Sequence, residues 1–220
     1  MHFAKVFFCD VSKYHDADAL ASRLGEVAPE RAERINTAKR PETKAQLLCS
    51  GLIVPKALGA VFGRNDFKIE TDSLGKPQVT NADGVYFNVS HTGKFVACAV
   101  SDVPVGVDIE EISANTDFMR IADRFFSVME KNVMMMVPSP EEAFCRLWTL
   151  RESYVKMRGT GFDRGLAPLS CTFPGGVPKM NVDGKVQEDA FFTEIRDIYL
   201  CRGAVCTLGE AEYSIEKTEV

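Results

Sequence analysis

The chain has 220 residues, 45% hydrophobic and 26% charged, with a formal net charge of −5 at pH 7. That length supports one large domain or two small ones sharing an interface, and the composition is ordinary for a soluble globular protein. The negative balance excludes a role in coating nucleic acid, which needs a basic field, although a local basic cluster can still hold one small polyanion. Seven cysteines without a repeated C-x-x-C spacing predict reduced, buried thiols in a cytoplasmic protein. The opening MHFAKVFFCDVSKY has too short an apolar run for a signal or membrane segment, so neither a membrane nor a nucleic-acid partner is expected.

In chain order, the patterning predicts a first strand over Phe3 to Cys9, then helices over Ala17 to Leu24 and Pro29 to Ala38. Pro41 opens a longer helix, with Pro55 a possible kink. FKIET is a short strand, and DSLGKPQ is a turn in which Gly75 supplies torsional freedom and Pro77 fixes its own φ. VYFNVSH and KFVACAVS read as a strand and its return, followed by the strand PVGVDIE, Pro104 to Glu110. In the second half, SVME and SPEE carry the Ser-x-x-Glu pattern of a helix start. The helix opened by Pro140 should reach Arg158, where Gly159 and Gly161 stop it. The remainder, LSCTF, FFTEIRD, YLCRGAVCTL and EYSIE, reads as short strands. Both halves mix strands and helices, an α+β pattern, and the join falls at Asp102 to Pro104, giving units 1–103 and 104–220.

Four groups of residues are candidates for chemistry. On PVGVDIE, Val105, Val107 and Ile109 share one face and Gly106, Asp108 and Glu110 the other, with the two acids about 6–7 Å apart. They are either a wet face of an edge strand or half of a cation site. Glu152 and Lys156, at i,i+4 on the long helix, are either a surface ion pair or a third acid with a cation one turn away. Ser90, His91 and Thr92 end a strand just before Gly93, where they serve structure or grip an anion. Arg31, Arg34, Lys39, Arg40 and Lys44 form a basic run, solvated or bound to a phosphate. A fifth feature, Met134 to Met136, is either core or a pliable apolar patch for a partner helix.

The ordered series GKP (Gly75 to Pro77), FNVSH (Phe87 to His91), VGVDIE (Val105 to Glu110) and WTLRESYVKMRGTG (Trp148 to Gly161) resembles the 4′-phosphopantetheinyl transferases, in particular the larger, surfactin-type class. PERAER, Pro29 to Arg34, is similar to the basic segment of that family. The resemblance implies two similar α+β halves related by a pseudo-twofold axis, with coenzyme A in the cleft between them. It implies transfer of the 4′-phosphopantetheine arm of coenzyme A to a serine of an apo acyl or peptidyl carrier protein, with Mg²⁺, by a monomer. Asp108, Glu110 and Glu152 would be the metal ligands, with Glu152 the general base and Lys156 a neutraliser of phosphate charge. Ser90 and His91 would bind phosphates, Lys76 and Pro77 would line the adenine side, and Arg31, Arg34 and Lys44 would hold the 3′-phosphate. The family's usual W-x-x-K-E is here Trp148-Thr-Leu-Arg151-Glu152, which leaves the role of Arg151 open. A non-catalytic binding module for carrier or coenzyme A, and a Mg²⁺-dependent phosphohydrolase, are the competing classes of function.

Overall fold

Alternating apolar residues in the first half build strands β1 (His2–Asp10), β2 (Ile69–Thr71), β3 (Pro77–Val79), β4 (Tyr86–Thr92) and β5 (Phe95–Ser101), with helices α1 (Ala17–Ala21), α2 (Pro29–Thr37) and α3 (Pro41–Phe62). The second half contributes β6 (Val105–Glu111), α4 (Phe118–Phe125), α5 (Val128–Met135), α6 (Pro140–Arg158), β7 (Leu169–Thr172), β8 (Lys179–Val182), β9 (Lys185–Val186), β10 (Ala190–Ile195), β11 (Cys201–Leu208) and β12 (Ala211–Lys217). The structure is a computed structural model that describes residues 1–113, 117–161 and 169–220.

One topology occurs twice. In the first half β1 leads to the long helix α3, then the hairpin β2–β3, then β4 and β5, with sheet order β1-β5-β4. In the second half β6 leads to α6, then the hairpin β7–β8, then β10 and β11, with sheet order β6-β11-β10. All these neighbours pair antiparallel. The last strand, β12, crosses over and pairs parallel with β1, from His2↔Ala211 to Phe8↔Lys217.

Side-chain alternation stacks these parts in layers. Val96, Cys98 and Val100 of β5 join Phe7, Leu48, Ile53 and Leu58 in a core beneath α3. Ala97 and Ala99, from the opposite face of β5, meet Val105, Val107 and Ile109 of β6 and Val205 of β11, so the inner faces of the two sheets pack on each other. α6 covers the outer face of the second sheet with Leu147, Trp148 and Leu150 against Ala204 and Cys206. β5 is therefore buried along its whole length, which explains its unbroken apolar reading. α3 is long and apolar enough to cross a membrane, but 56% of its most apolar window is buried inside the protein, as suits a core helix. It runs through Pro55 without interruption. All seven cysteines are buried and free.

The helix ends follow local chemistry. Ser127 and Glu130 form a complete capping box on α5. Ser139 caps α6 by accepting from the Glu142 N–H, but the Glu142 carboxylate reaches Arg202 instead of returning to the cap. α6 stops at Gly159, whose φ of 68° is left-handed.

Candidate active site

Gly106 decides how the two key elements meet. A Cβ there would lie 2.0 Å from the Ser153 carbonyl oxygen and 2.4 Å from the Met157 nitrogen. Only glycine lets α6 press its backbone onto β6, and that contact lowers Glu152 and Lys156 toward the strand. The face carrying Gly106, Asp108 and Glu110 is thus covered by a helix rather than wetted. β6 is the end strand of its sheet, but Asp108 is 3% exposed and Glu152 7%, so the reading of this face as wet is corrected.

The charges meet there. Lys156 Nζ lies 2.6 Å from Asp108 Oδ1 and 3.3 Å from Ser90 Oγ. Ser90 Oγ donates to Asp108 Oδ1 at 2.8 Å and accepts the Ile109 N–H at 3.3 Å. Thr92 Oγ1 donates to Glu110 Oε2 at 3.2 Å and accepts the Glu111 N–H at 3.0 Å. Burial, then the charge of Asp108, pushes Glu110 up to about 7. The same two causes push Glu152 up to about 7. Asp108 Oδ2 and Glu152 Oε1 are buried with no hydrogen-bond partner among the described residues. Among those residues no three His, Cys, Asp or Glu side chains stand in a metal-holding arrangement. The Lys156 ammonium acts as the counter-ion of Asp108.

A cavity of about 300 Å³ lies beside Glu152 and Lys156, which line it together with Gly75, Lys76, Pro77 and Asn88. Lys76 Nζ donates to the Lys156 carbonyl at 2.5 Å, which caps the C-terminal end of α6 and ties the β2–β3 hairpin to it. Burial lowers the pKa of this ammonium. His91 titrates below the ordinary imidazole value because of desolvation and the Lys156 charge, while Glu42 on α3 acts in the opposite sense.

Arg31, Arg34 and Lys44 stand outside this cavity, on α2 and the first turns of α3. Arg31 Nη1 donates to the Leu47 carbonyl at 3.2 Å, and its stem lies against Gly51. α3 in turn reaches the β4–β5 turn through Gln46 Nε2, which donates to the Gly93 carbonyl at 2.7 Å. Arg151 points the other way. It is fully buried, paired with Glu130 at 2.6 Å, and its guanidinium lies over Phe126. The methionine run divides: Met134 is core at 0% exposure, whereas Met135 and Met136 are 55% and 85% exposed.

Sequence reasoning missed Asn88 as a structural residue. Its Oδ1 accepts the Val107 N–H at 2.9 Å. The available signal was the alternation Asn88, Ser90, Thr92, three short hydrogen-bonding side chains on one face of a strand.

The model of the 4′-phosphopantetheinyl transferase superfamily matches residues 104–208. The chain is 27% identical over 164 residues to 4′-phosphopantetheinyl transferase Sfp of Bacillus subtilis (strain 168), covering 73% of this chain and 69% of that one. It is 41% identical over 104 residues to 4′-phosphopantetheinyl transferase psf-1 of Bacillus pumilus, covering 46% of this chain and 44% of that one. A solved structure, holo-[acyl-carrier-protein] synthase (AcpS) of Thermotoga maritima, aligns at 21% identity with a TM-score of 0.40, over 49% of this chain and 64% of that one. The family match thus covers just under half of the chain, and the similarity to a surfactin-type enzyme extends over 164 residues.

Proposed function

We propose that the protein transfers the 4′-phosphopantetheine arm of coenzyme A to a serine hydroxyl of an apo acyl or peptidyl carrier protein and releases adenosine 3′,5′-bisphosphate. The observation that supports this reading is that Glu152 and Lys156 line a cavity together with the Gly75–Pro77 turn, while Lys156 is paired with Asp108 on the neighbouring strand. Coenzyme A lies with its pyrophosphate at Lys156 and the acids and its adenine side at Lys76 and Pro77. Its 3′-phosphate points toward Arg31, Arg34 and Lys44, with His91 along the phosphate path. Ser90 holds the acid and the lysine in place, since its hydroxyl is committed to Asp108, Ile109 and Lys156.

The donor chemistry suits Mg²⁺, although the three carboxylates do not stand in a metal-holding arrangement in this structure. The donor set offers carboxylate oxygens only, as a hard cation prefers, and two of those oxygens are buried without partners. Asp108, Glu110 and Glu152 would hold the ion, and when bound it supplies positive charge to the pyrophosphate oxygens. Glu152 takes the proton of the carrier serine, a hydroxyl that is a poor nucleophile without a base. The serine oxygen bonds to the phosphorus nearer the pantetheine, and the P–O bond to the adenosine-bearing phosphate breaks. Lys156 neutralises the charge left on that phosphate. The exposed apolar side chains of α5 and its C-terminal turn, Val128, Met129, Val133, Met135 and Met136, form the carrier's docking face. Residues 1–103 then serve the adenosine end and 104–220 the acids and the carrier, in a cytoplasmic monomer.

Mass spectrometry of an apo carrier incubated with the protein, coenzyme A and Mg²⁺ tests this. The carrier should gain the mass of the arm, and Glu152→Gln should abolish the gain while melting as the wild type does. Degraded coenzyme A with no carrier gain would indicate a phosphohydrolase, and intact coenzyme A with no gain a binding module.

A further inference from the structure

β4 and β6 lie side by side, but the hydrogen bonds identified between them do not form a backbone ladder. The backbone of β4 pairs with β5, from Tyr86↔Ser101 to Thr92↔Phe95. Toward β6 it offers side chains: Asn88 accepts the Val107 N–H, Ser90 the Ile109 N–H and Thr92 the Glu111 N–H, each at an offset of 19 residues. The constant offset makes the two strands parallel, with side-chain oxygens standing where carbonyls would be. The residue types follow from what each slot must do. A hydroxyl has one proton and two acceptor directions, so it can accept from the strand and still donate to an acid. Ser90 and Thr92 do both, toward Asp108 and Glu110. Asn88 accepts beside Gly106, where there is no acid to hold.

Resting on the transferase reading, we infer that Thr92 is a positioning residue for the acids: it sets the cation affinity of the second half's carboxylates from the first half. The turn that carries it is itself held. Gln46 donates to the Gly93 carbonyl, and the Glu111 side chain closes over Gly93, where a Cβ would lie 2.5 Å from Glu111 Oε2. Among the described residues Thr92 is the hydroxyl bonded to Glu110. Ser90 is also tied to Lys156, so Thr92 gives the cleaner test.

Mg²⁺ is titrated calorimetrically into wild type, Thr92→Val and Thr92→Ser, and coenzyme A affinity without metal, melting temperature and transfer rate against Mg²⁺ concentration are measured alongside. Loss of a residue that orients a ligand typically weakens a metal about tenfold or more. Thr92→Val should show that loss, need correspondingly more Mg²⁺ for half-maximal transfer, and keep its metal-free coenzyme A affinity; Thr92→Ser should restore Mg²⁺ binding. A purely structural role would lower the melting temperature without moving Mg²⁺ affinity, and that result overturns the inference. Failure of Thr92→Ser to rescue, or a wild type that takes up no Mg²⁺, overturns it too. If Thr92→Val melts too low to assay, Thr92→Cys, with a weaker donor and acceptor, should show the same loss in smaller degree. A wild type that binds Mg²⁺ yet modifies no carrier defeats the transferase reading, while the Mg²⁺ comparison still decides the part played by Thr92.

Discussion

Arg151 and Glu152 are neighbours that a helix turns to different tasks, since successive side chains point about 100° apart. Glu152 faces the cavity. Arg151 is fully buried, donates to Glu130 Oε1 and to the Leu169 carbonyl, and lies over Phe126. Glu130 also accepts the Cys171 N–H at 2.7 Å and completes the α5 capping box. One ion pair therefore fastens α5 and β7 to α6. An arginine suits this position, because several donors in a planar fork reach partners on more than one element. Burial pushes the Glu130 carboxyl up, but the Arg151 charge and the hydrogen bonds from Arg151, Cys171 and Ser127 together outweigh it and hold the group below its usual value. A lowered folded-state value means that this stabilisation is present above the unfolded carboxylate value of 4.5 and is lost as pH falls through the folded value. Glu130→Gln, which leaves Arg151 buried without its counter-charge, should cost about 3–5 kcal/mol at neutral pH. The deficit relative to wild type should shrink as pH falls below 4.5. Urea melts of both proteins at neutral and acid pH check this, and a pH-independent deficit would contradict it.

Among the elements, the β6–α6 contact sets the site. Gly106→Ala places a methyl group within 2.0 Å of the Ser153 carbonyl, an approach that rotamer change cannot relieve because both atoms belong to fixed backbone. Overpacking of this kind costs about 1–3 kcal/mol. The larger effect should be on activity, because α6 must lift and carry Glu152 and Lys156 with it, and a shift near 1 Å in a reacting group can lower rate about a hundredfold. Melting temperature and single-turnover transfer, measured together, should show a folded protein with transfer down by about that factor. The strands and the long helix were legible in the sequence because their apolar periods are clean and their ends carry proline, serine and glycine. The pairing of Asp108 with Glu110 on one face was legible as well. What covers that face was not, because the covering helix begins some 30 residues further along the chain and alternation reports only that two faces differ. For the same reason FNVSH gave its donors but not its direction. The neighbour that makes Asn88, Ser90 and Thr92 into a seam is β6, and strand adjacency is not written in local pattern. The methionine run had the same ambiguity, and packing turned Met134 inward and left Met136 outward.

At the scale of the whole molecule, the repeated topology places unlike surfaces on the two halves. The first half offers the hairpin that lines the cavity and, outside it, the arginines of α2, and the second offers the acids and an exposed apolar helix face. If coenzyme A and the carrier approach along these separate surfaces, lesions on one should not be felt by the other. Arg34 is exposed on α2, so Arg34→Ala removes a cation with little effect on packing. A charge-assisted hydrogen bond to phosphate is worth about 1.5–3 kcal/mol, so this variant should bind coenzyme A roughly tenfold or more weakly. It should bind 3′-dephospho-coenzyme A as the wild type does. Met136, at 85% exposure, can be changed to Glu with a stability change within about 0.5 kcal/mol. Met136→Glu should raise KM for the carrier, because a carboxylate is placed in an apolar contact, and leave coenzyme A affinity unchanged. Steady-state kinetics with each substrate varied in turn, beside direct binding of the two coenzymes, separates these effects. Equal loss of both coenzymes in Arg34→Ala would remove that arginine from the 3′-phosphate. A shift of coenzyme A affinity in Met136→Glu would mean that the two surfaces are one, and that the halves do not divide the substrates between them.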